Sequence, residues 1–319
     1  MEAVIWVEVV QLGIYIFGAI AAAGVILSQI DGGMARVMEI GNEFNKFKFL
    51  DFTLDFTKTY TFWGGLIGGC FLTMSTHGTD QYLVQRYLCT DKPASAATAL
   101  LSSGAVVLGQ FIGFLFIGVL LFAYYQPFNA PEYAQIGTEG SKLAATFPFT
   151  GGDKVFPDFI TKHMPTGLSG LVVAAIFAAA LSSSLNSIAA TATNDLYKPF
   201  AKDKSDKHLL RVASILTVIV GIVQIAVAIA VKDAQASALS QALAIAGLIN
   251  GPILGVFLVG TFIKRANQTC ALIAMISSIC LMLYVYKYTA IAFPWYPVIG
   301  SLTTLIVATL ASLVLSDKE

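Results

Sequence analysis

The chain has 319 residues, with 19 Lys plus Arg against 19 Asp plus Glu, so its formal net charge is zero. Hydrophobic residues make up 56% and charged residues 12%, the latter about half the roughly 25% of ordinary globular domains, and mean hydropathy is +0.75. So few charges cannot cover a soluble protein of this size, and zero net charge leaves no basic footprint for a nucleic acid; the composition is that of an all-α integral membrane protein.

The apolar segments run to about 20 residues or more, the length of a helix crossing a hydrocarbon core of about 30 Å, rather than the roughly 10-residue alternating strands of a barrel. Eight spans are expected, near 3–30, 60–79, 94–125, 168–193, 210–231, 236–263, 271–288 and 294–315, forming one transmembrane domain. The long connections 31–59 and 126–167 read as polar enough to sit in water. Met1 opens almost directly into the first apolar run, without the basic start and short apolar core of a secretory leader, so no cleaved signal is expected.

An even number of spans puts both termini on one side. That side holds Arg86, Lys92, Lys198, Lys202, Lys204, Lys207, Arg211, Lys264, Arg265 and Lys318. The other side carries the remaining nine Lys and Arg, over about twice as many residues. The density places both termini in the cytoplasm, in the plasma membrane.

Two spans are poor uniform helices. The second carries Gly64, Gly65, Gly68 and Gly69, then the polar end Ser75-Thr76-His77-Gly78-Thr79-Asp80; the sixth carries Gly247 and then Asn250-Gly251-Pro252 at its middle. Proline removes a backbone donor and clashes with the preceding turn. Two readings stand: broken helices lining a binding cavity, or glycine-packed helix contacts with an ordinary proline kink.

Several polar side chains sit at membrane level. Glu8 lies in an apolar run, where a carboxylate costs several kcal/mol unless paired, hydrated or protonated; it is either a cation ligand facing the bundle interior or an interfacial group reaching water. Ser182 and Asn186, like Ser183 and Ser187, are four residues apart and share helix faces. Their oxygens suit a hard cation such as Na⁺, or simple interhelical hydrogen bonds. His77 is the one membrane-level histidine; His163 and His208 read as solvent-facing. Cys70, Cys89, Cys270 and Cys280 read as small apolar packing residues. No nucleophile–base set and no metal-ligand spacing appears, so no enzyme and no metal beyond Na⁺ is expected.

The segments Ala3-Val4-Ile5-Trp6-Val7-Glu8-Val9-Val10-Gln11, Gly78-Thr79-Asp80-Gln81-Tyr82-Leu83-Val84-Gln85-Arg86-Tyr87-Leu88, Ser182-Ser183-Ser184-Leu185-Asn186-Ser187, Asp195-Leu196-Tyr197-Lys198-Pro199 and Lys264-Arg265-Ala266-Asn267 occur in an order that resembles the sodium:solute symporter family, which includes sodium–sugar, sodium–proline, pantothenate and sialic acid cotransporters. The resemblance covers nearly the whole chain. It implies a leucine-transporter-like core of two inverted five-helix repeats, with this chain starting at the fifth core helix. The second to sixth spans are then the second repeat and the last two are trailing helices. The resemblance further implies that the first four core helices, and the backbone oxygens that the first of them gives to the main sodium site, are missing from this sequence.

The resemblance also implies residue roles. Glu8 stands where some relatives place an aspartate at a second sodium site, and Ser182 and Ser183, with Asn186 on the same helix, match the hydroxyls facing it. The hydroxyl pair of the main sodium site falls on Ala179 and Ala180, or is removed by a short deletion; neither alignment supplies its oxygens. Thr76 and His77 replace the aromatic gate of sugar carriers, and Ala244 replaces their sugar-binding glutamine, which points away from a sugar and towards an organic anion. Asp80, Gln85 and Arg86 fall in a cytoplasmic gating or structural network, and Gly251 and Pro252 in the gate of the sixth span. The expected activity is sodium-coupled symport of a small organic solute with no cofactor other than the coupling ion. Its partners are the solute, the lipid bilayer and either a second copy or the missing N-terminal half, with no nucleic acid. The alternative is a truncated, transport-inactive membrane protein or subunit.

Overall fold

The computed structural model describes residues 2–80, 83–84, 87, 90, 92–125, 149, 152–182, 188–189, 191–201, 205–231 and 237–315. Among them there is no strand; the helices are α1 (Glu2–Ser28), α2 (Gly33–Glu43), α3 (Gly69–Thr79, entered through a π-helical turn, Gly64–Gly68), α4 (Pro93–Tyr125), α5 (Val155–Lys162), α6 (Thr166–Ser182), α7 (Asp206–Val231), α8 (Ala238–Phe262), α9 (Gln268–Tyr288) and α10 (Tyr296–Leu315). Among the described residues six segments are long and apolar enough to cross a membrane: Glu8–Ser28, Pro93–Tyr125, Asp206–Ala230, Ala238–Phe262, Gln268–Tyr288 and Phe293–Leu315. The span expected at 60–79 is not a single regular α-helix, and that expected at 168–193 is described only in part. The first is the π-turn plus α3, and the second contains α6 and, beyond residues outside the described set, a π-helical segment, Ala192–Tyr197.

The chain divides into two compact units, one of Met1–Phe47 and Val106–Gln235, the other of Lys48–Ala105 and Ala236–Glu319; the boundary falls within α4. In the first unit, Gly32 (φ 86°) and Gly33 (φ 55°) turn the chain from α1 into α2, a backbone that glycine adopts without a Cβ penalty. α2 is amphipathic and turns Val37 and Ile40 inward. They join Ala22 and Ile26 of α1, Ile117 and Leu120 of α4 and Phe159 of α5 in one apolar cluster. Phe44 meets Phe122 edge-on at 5.4 Å, and Lys46 Nζ lies 4.2 Å over the Phe122 ring. Lys162 pairs with Asp158 one turn away at 2.5 Å, and the Tyr125 hydroxyl donates to Asp158 Oδ2 at 3.0 Å. Within the connections at 31–59 and 126–167, α2 and α5 bury apolar faces.

In the second unit α8 and α10 run parallel and touch through small residues. A Cβ on Gly251 would lie 3.0 Å from Pro297 Cα, and one on Gly255 2.4 Å from Thr304 Cβ, so only hydrogen at these positions permits this approach. α8 is an unbroken helix through Pro252. Of the two readings of Asn250-Gly251-Pro252, the helix fits the glycine-packed one: Gly251 and Pro252 are buried, and Gly300 packs closely against Pro252. α9 joins the pair when the Ser278 hydroxyl donates to Gly300 O at 2.7 Å, an oxygen that also accepts from Thr304 Oγ1 at 2.9 Å. Asn267 Oδ1 caps α9 by accepting the Cys270 N–H at 2.9 Å. Cys270 is buried, as a packing residue should be, whereas Cys70 and Cys280 are exposed; they face outward from the helices.

Residues 48–63 lead into the π-turn. Asp51 and Asp55 accept the N–H groups of Thr53 and Thr57 at 2.9 and 2.8 Å. The Phe62 N–H donates to Asp51 O at 2.7 Å, and the Ala292 N–H to Phe56 O at 2.8 Å. Phe49, Phe52, Leu54 and Tyr60 are exposed on this segment, which corrects the expectation of a polar connection; aromatic residues of this kind suit a membrane interface.

Candidate functional site

The expected sodium ligands fall in the first unit and the expected solute residues in the second. In the first, α1 and α6 are antiparallel. Gln29 Nε2 donates to His163 O just before α6, and Gly18 of α1 sits against Val172 of α6, where a Cβ would meet Val172 Cγ2 at 2.9 Å. Eleven residues back along α1 thus correspond to nine forward along α6. Ten more on each side bring Glu8 level with Ser182, the last residue of α6. Glu8 is half-buried. Ser183 and Asn186 lie outside the described residues. Below Glu8 the Gln110 side-chain amide donates to the Tyr15 hydroxyl, tying α4 to α1.

In the second unit α3 lies along α8. Ser75 is fully buried, and its hydroxyl donates to Asn250 O at 3.0 Å, two residues before Pro252. Thr76 is half-buried and donates to Leu72 O of its own helix at 2.6 Å, so its oxygen faces outward only as an acceptor. His77 Nδ1 is 2.6 Å from the Tyr87 hydroxyl. A histidine held at Nδ1 offers Nε2 alone to a ligand. Asp80 ends α3 in extended backbone (ψ 110°), and its carbonyl accepts the N–H groups of Leu83 and Val84 at 3.1 and 2.9 Å. Gln85 and Arg86 lie outside the described residues.

Ala244 is half-buried. It packs with Met282, Val285 and Tyr296, because it shares the face of α8 that carries Gly247 and Gly251 against α10. His163 and His208 are not simply solvent-facing either. Each is half-buried and bonds a tyrosine: His163 Nδ1 to Tyr124 at 3.0 Å and His208 Nε2 to Tyr197 at 2.8 Å. Every histidine of the chain thus has a tyrosine partner. Tyr87 and Tyr197 sit inside the Val84-Gln85-Arg86-Tyr87 and Asp195-Leu196-Tyr197 motifs, so the motifs contained them. Only the three-dimensional arrangement shows that each meets a histidine about ten residues away in the chain.

The chain matches the sodium:solute symporter family over residues 1–278. It is 33% identical over 317 residues to a sodium/sialic acid symporter of Aliivibrio fischeri, covering 98% of this chain and 60% of the relative. It is 32% identical to a sodium/sialic acid symporter of Proteus mirabilis, over 98% of this chain and 61% of the relative. Human sodium-coupled monocarboxylate transporter 1 is 28% identical over 89% of this chain and 45% of its own length. A solved structure of a Na⁺-coupled sialic acid symporter, in a substrate-bound outward-open state with a novel Na⁺ site, superimposes with a TM-score of 0.75 at 29% identity, covering 98% of this chain and 62% of that one. The chain spans about three fifths of the length of the two sialic acid symporters it matches.

Proposed function

The chain belongs to the sodium:solute symporter family, and from that membership we propose that it takes part in sodium-coupled symport of a small carboxylate-bearing organic anion, of the sialic acid or short monocarboxylate class. It is a multi-pass membrane protein, and the relatives it matches are carriers rather than enzymes. The transport-inactive alternative finds no support in those relatives.

The observation that carries the reading is the antiparallel register of α1 and α6, which brings the carboxylate-bearing Glu8 level with the serine end of α6. A carboxylate with hydroxyl oxygens opposite is a hard-oxygen set suited to Na⁺. Ser183 and Asn186 are proposed to complete it. Thr76 and His77 on α3 are the proposed solute contacts, with His77 Nε2 as donor to a carboxylate. Asp80, Gln85 and Arg86 form the proposed cytoplasmic network, and both termini are proposed to be cytoplasmic. Sodium bound at Glu8 favours the solute-ready state, and solute strengthens sodium binding by the same factor. Rocking of one helix set against another then exposes the site alternately.

The test is uptake into proteoliposomes driven by a sodium gradient, with N-acetylneuraminate, propionate and glucose as solutes, for the chain and its Glu8→Gln variant. Uptake of an anion that needs the gradient and falls about tenfold or more in Glu8→Gln is expected, since loss of a charged ligand is worth about 1.4 kcal/mol or more of sodium binding. Uptake indifferent to sodium, or equal in the variant, overturns the assignment.

A further inference from the structure

Ahead of α7 the chain runs through the π-helical segment Ala192–Tyr197 and a 3₁₀ turn, Lys198–Phe200, both in the first unit. Phe200 is 91% exposed, more than any other large apolar side chain among the described residues, and Leu196, four residues before it, is 69% exposed. A ring gains transfer free energy by leaving water, so one presented this openly beside a membrane-length helix points to an apolar phase beyond the protein.

The turn is anchored. The buried Thr193 donates its hydroxyl to Ala189 O at 2.7 Å, and the Ala201 N–H donates to Lys198 O at 3.1 Å. The Tyr197 hydroxyl lies 2.8 Å from His208 Nε2 of α7, with the two rings stacked at 5.9 Å. That bond draws together the neighbours of both residues, for Lys198 follows Tyr197 and Lys207 precedes His208. On α7, Lys207, Leu210 and Arg211 are three and four residues apart and share a face. All three are exposed, as is Lys198. The acidic groups of the same stretch are Asp195 and Asp206; Asp206 lies in the first turn of α7, where its charge complements the helix N-terminus.

The height of these groups follows from α7 itself. Residues 212–231 hold no charged side chain and, at about 1.5 Å each, span the roughly 30 Å of hydrocarbon by themselves. The turn of α7 that carries Lys207 and Arg211 therefore stands in the headgroup layer. Exposed apolar side chains and a group of cations thus meet at one membrane surface.

We propose that residues 196–200 and the first turn of α7 form a docking surface for acidic phospholipid. Leu196 and Phe200 enter the acyl boundary of the bilayer, and Lys198, Lys207 and Arg211 meet the lipid phosphates. A covering protein segment would have to bury three cations along with the ring, whereas an acidic headgroup layer accepts both. The Tyr197–His208 bond fixes the apolar part of the surface against the basic part. The surface belongs to the first unit alone and stands whether or not the chain performs symport.

The experiment places 4-trifluoromethylphenylalanine at position 200 of the full chain and reads its ¹⁹F resonance in lipid nanodiscs made of equal parts phosphatidylglycerol and phosphatidylcholine. Two agents broaden the resonance: a soluble gadolinium chelate, and a trace of phospholipid nitroxide-labelled near the head of its acyl chain, with either headgroup. The lipid label is expected to act more strongly than the chelate. Labelled phosphatidylglycerol should outdo labelled phosphatidylcholine by about fivefold or more, the factor for one basic side chain at about 1 kcal/mol. Combining Lys198→Gln, Lys207→Gln and Arg211→Gln, with helicity checked by circular dichroism, should abolish that preference. Stronger broadening by the chelate overturns the surface, as does a resonance that neither agent reaches, which would place protein over the ring. Equal broadening by the two labelled headgroups, or a preference that survives the triple variant, overturns the assignment to acidic lipid.

Discussion

In the second unit, α8 and α10 meet through Gly251, Gly255 and Gly300, and 33% of the membrane-length window of each is buried. In the first unit the corresponding window of α7 has no buried residue, and those of α1 and α4 are 17% buried. The difference follows from the solvent. An apolar side chain gains nothing by leaving lipid for a protein interior, so helices in hydrocarbon hold together through close backbone approach and hydrogen bonds. The second unit has both, in its glycine contacts and in Ser278, Ser301 and Thr304, each fully buried with its hydroxyl bonded to a backbone carbonyl. The first unit has its cluster around α2, α5 and the ends of α1 and α4, and leaves the apolar sides of α7 for lipid or for further protein.

The sharpest way to break this comparison is at Gly68, where a Cβ would come within 2.0 Å of Pro294 O. Gly68→Val is expected to cost about 3 kcal/mol or more in unfolding by a denaturing detergent, as overpacking against rigid backbone does. Gly13→Ala in the first unit, with nothing within 4 Å of the added carbon, should stay within about 0.5 kcal/mol. Equal losses in the two would mean that close packing does not distinguish the units. Next in size is Ser278→Ala. It removes one buried hydroxyl bond and should cost about 0.5–1.5 kcal/mol, read in the same assay; no loss would say that the hydroxyls are passengers of the glycine contacts.

The smallest effect concerns the first unit's α5. The hydrogen bond from Lys162 first, and that from Tyr125 as well, hold the Asp158 carboxyl below its usual range. A depressed carboxylate contributes stability that is present above its unfolded pKa and is lost as pH falls through the lower folded value. The melting temperature of the chain should therefore exceed that of Asp158→Asn near neutral pH, and the two should converge as the pH drops below about 4. A gap that persists in acid would show that the substitution acts through something other than the charge.

The candidate residues are legible in residue order, because their motifs are local strings: Glu8 in an apolar run, the polar end of the second span, the serines after Leu181. Pairing across elements was not legible. The Asn250-Gly251-Pro252 string carries the signature of a broken helix, yet Pro252 lies in an unbroken one, since the contact that holds it comes from Gly300, far along the chain. Ala244 was read through a neighbour's role, and only the packing of α8 on α9 and α10 shows which way it points. Tyr87 and Tyr197 were in plain view within their motifs, but a partner ten residues away across a helix end has no periodic signal.

What the sequence determined by itself is what depends on solvent and on local chain order: a membrane-embedded, helical chain, its family, and the residue types available to an ion and an anion. Apolar length and charge scarcity answer to the bilayer directly, so no tertiary knowledge is needed to read them. The tertiary structure decided the register that sets Glu8 level with Ser182 and the glycine contacts that draw α8 against α10. Each of these depends on distances between residues far apart in the chain, and lipid, which does not push apolar surfaces together, leaves those distances to close packing alone.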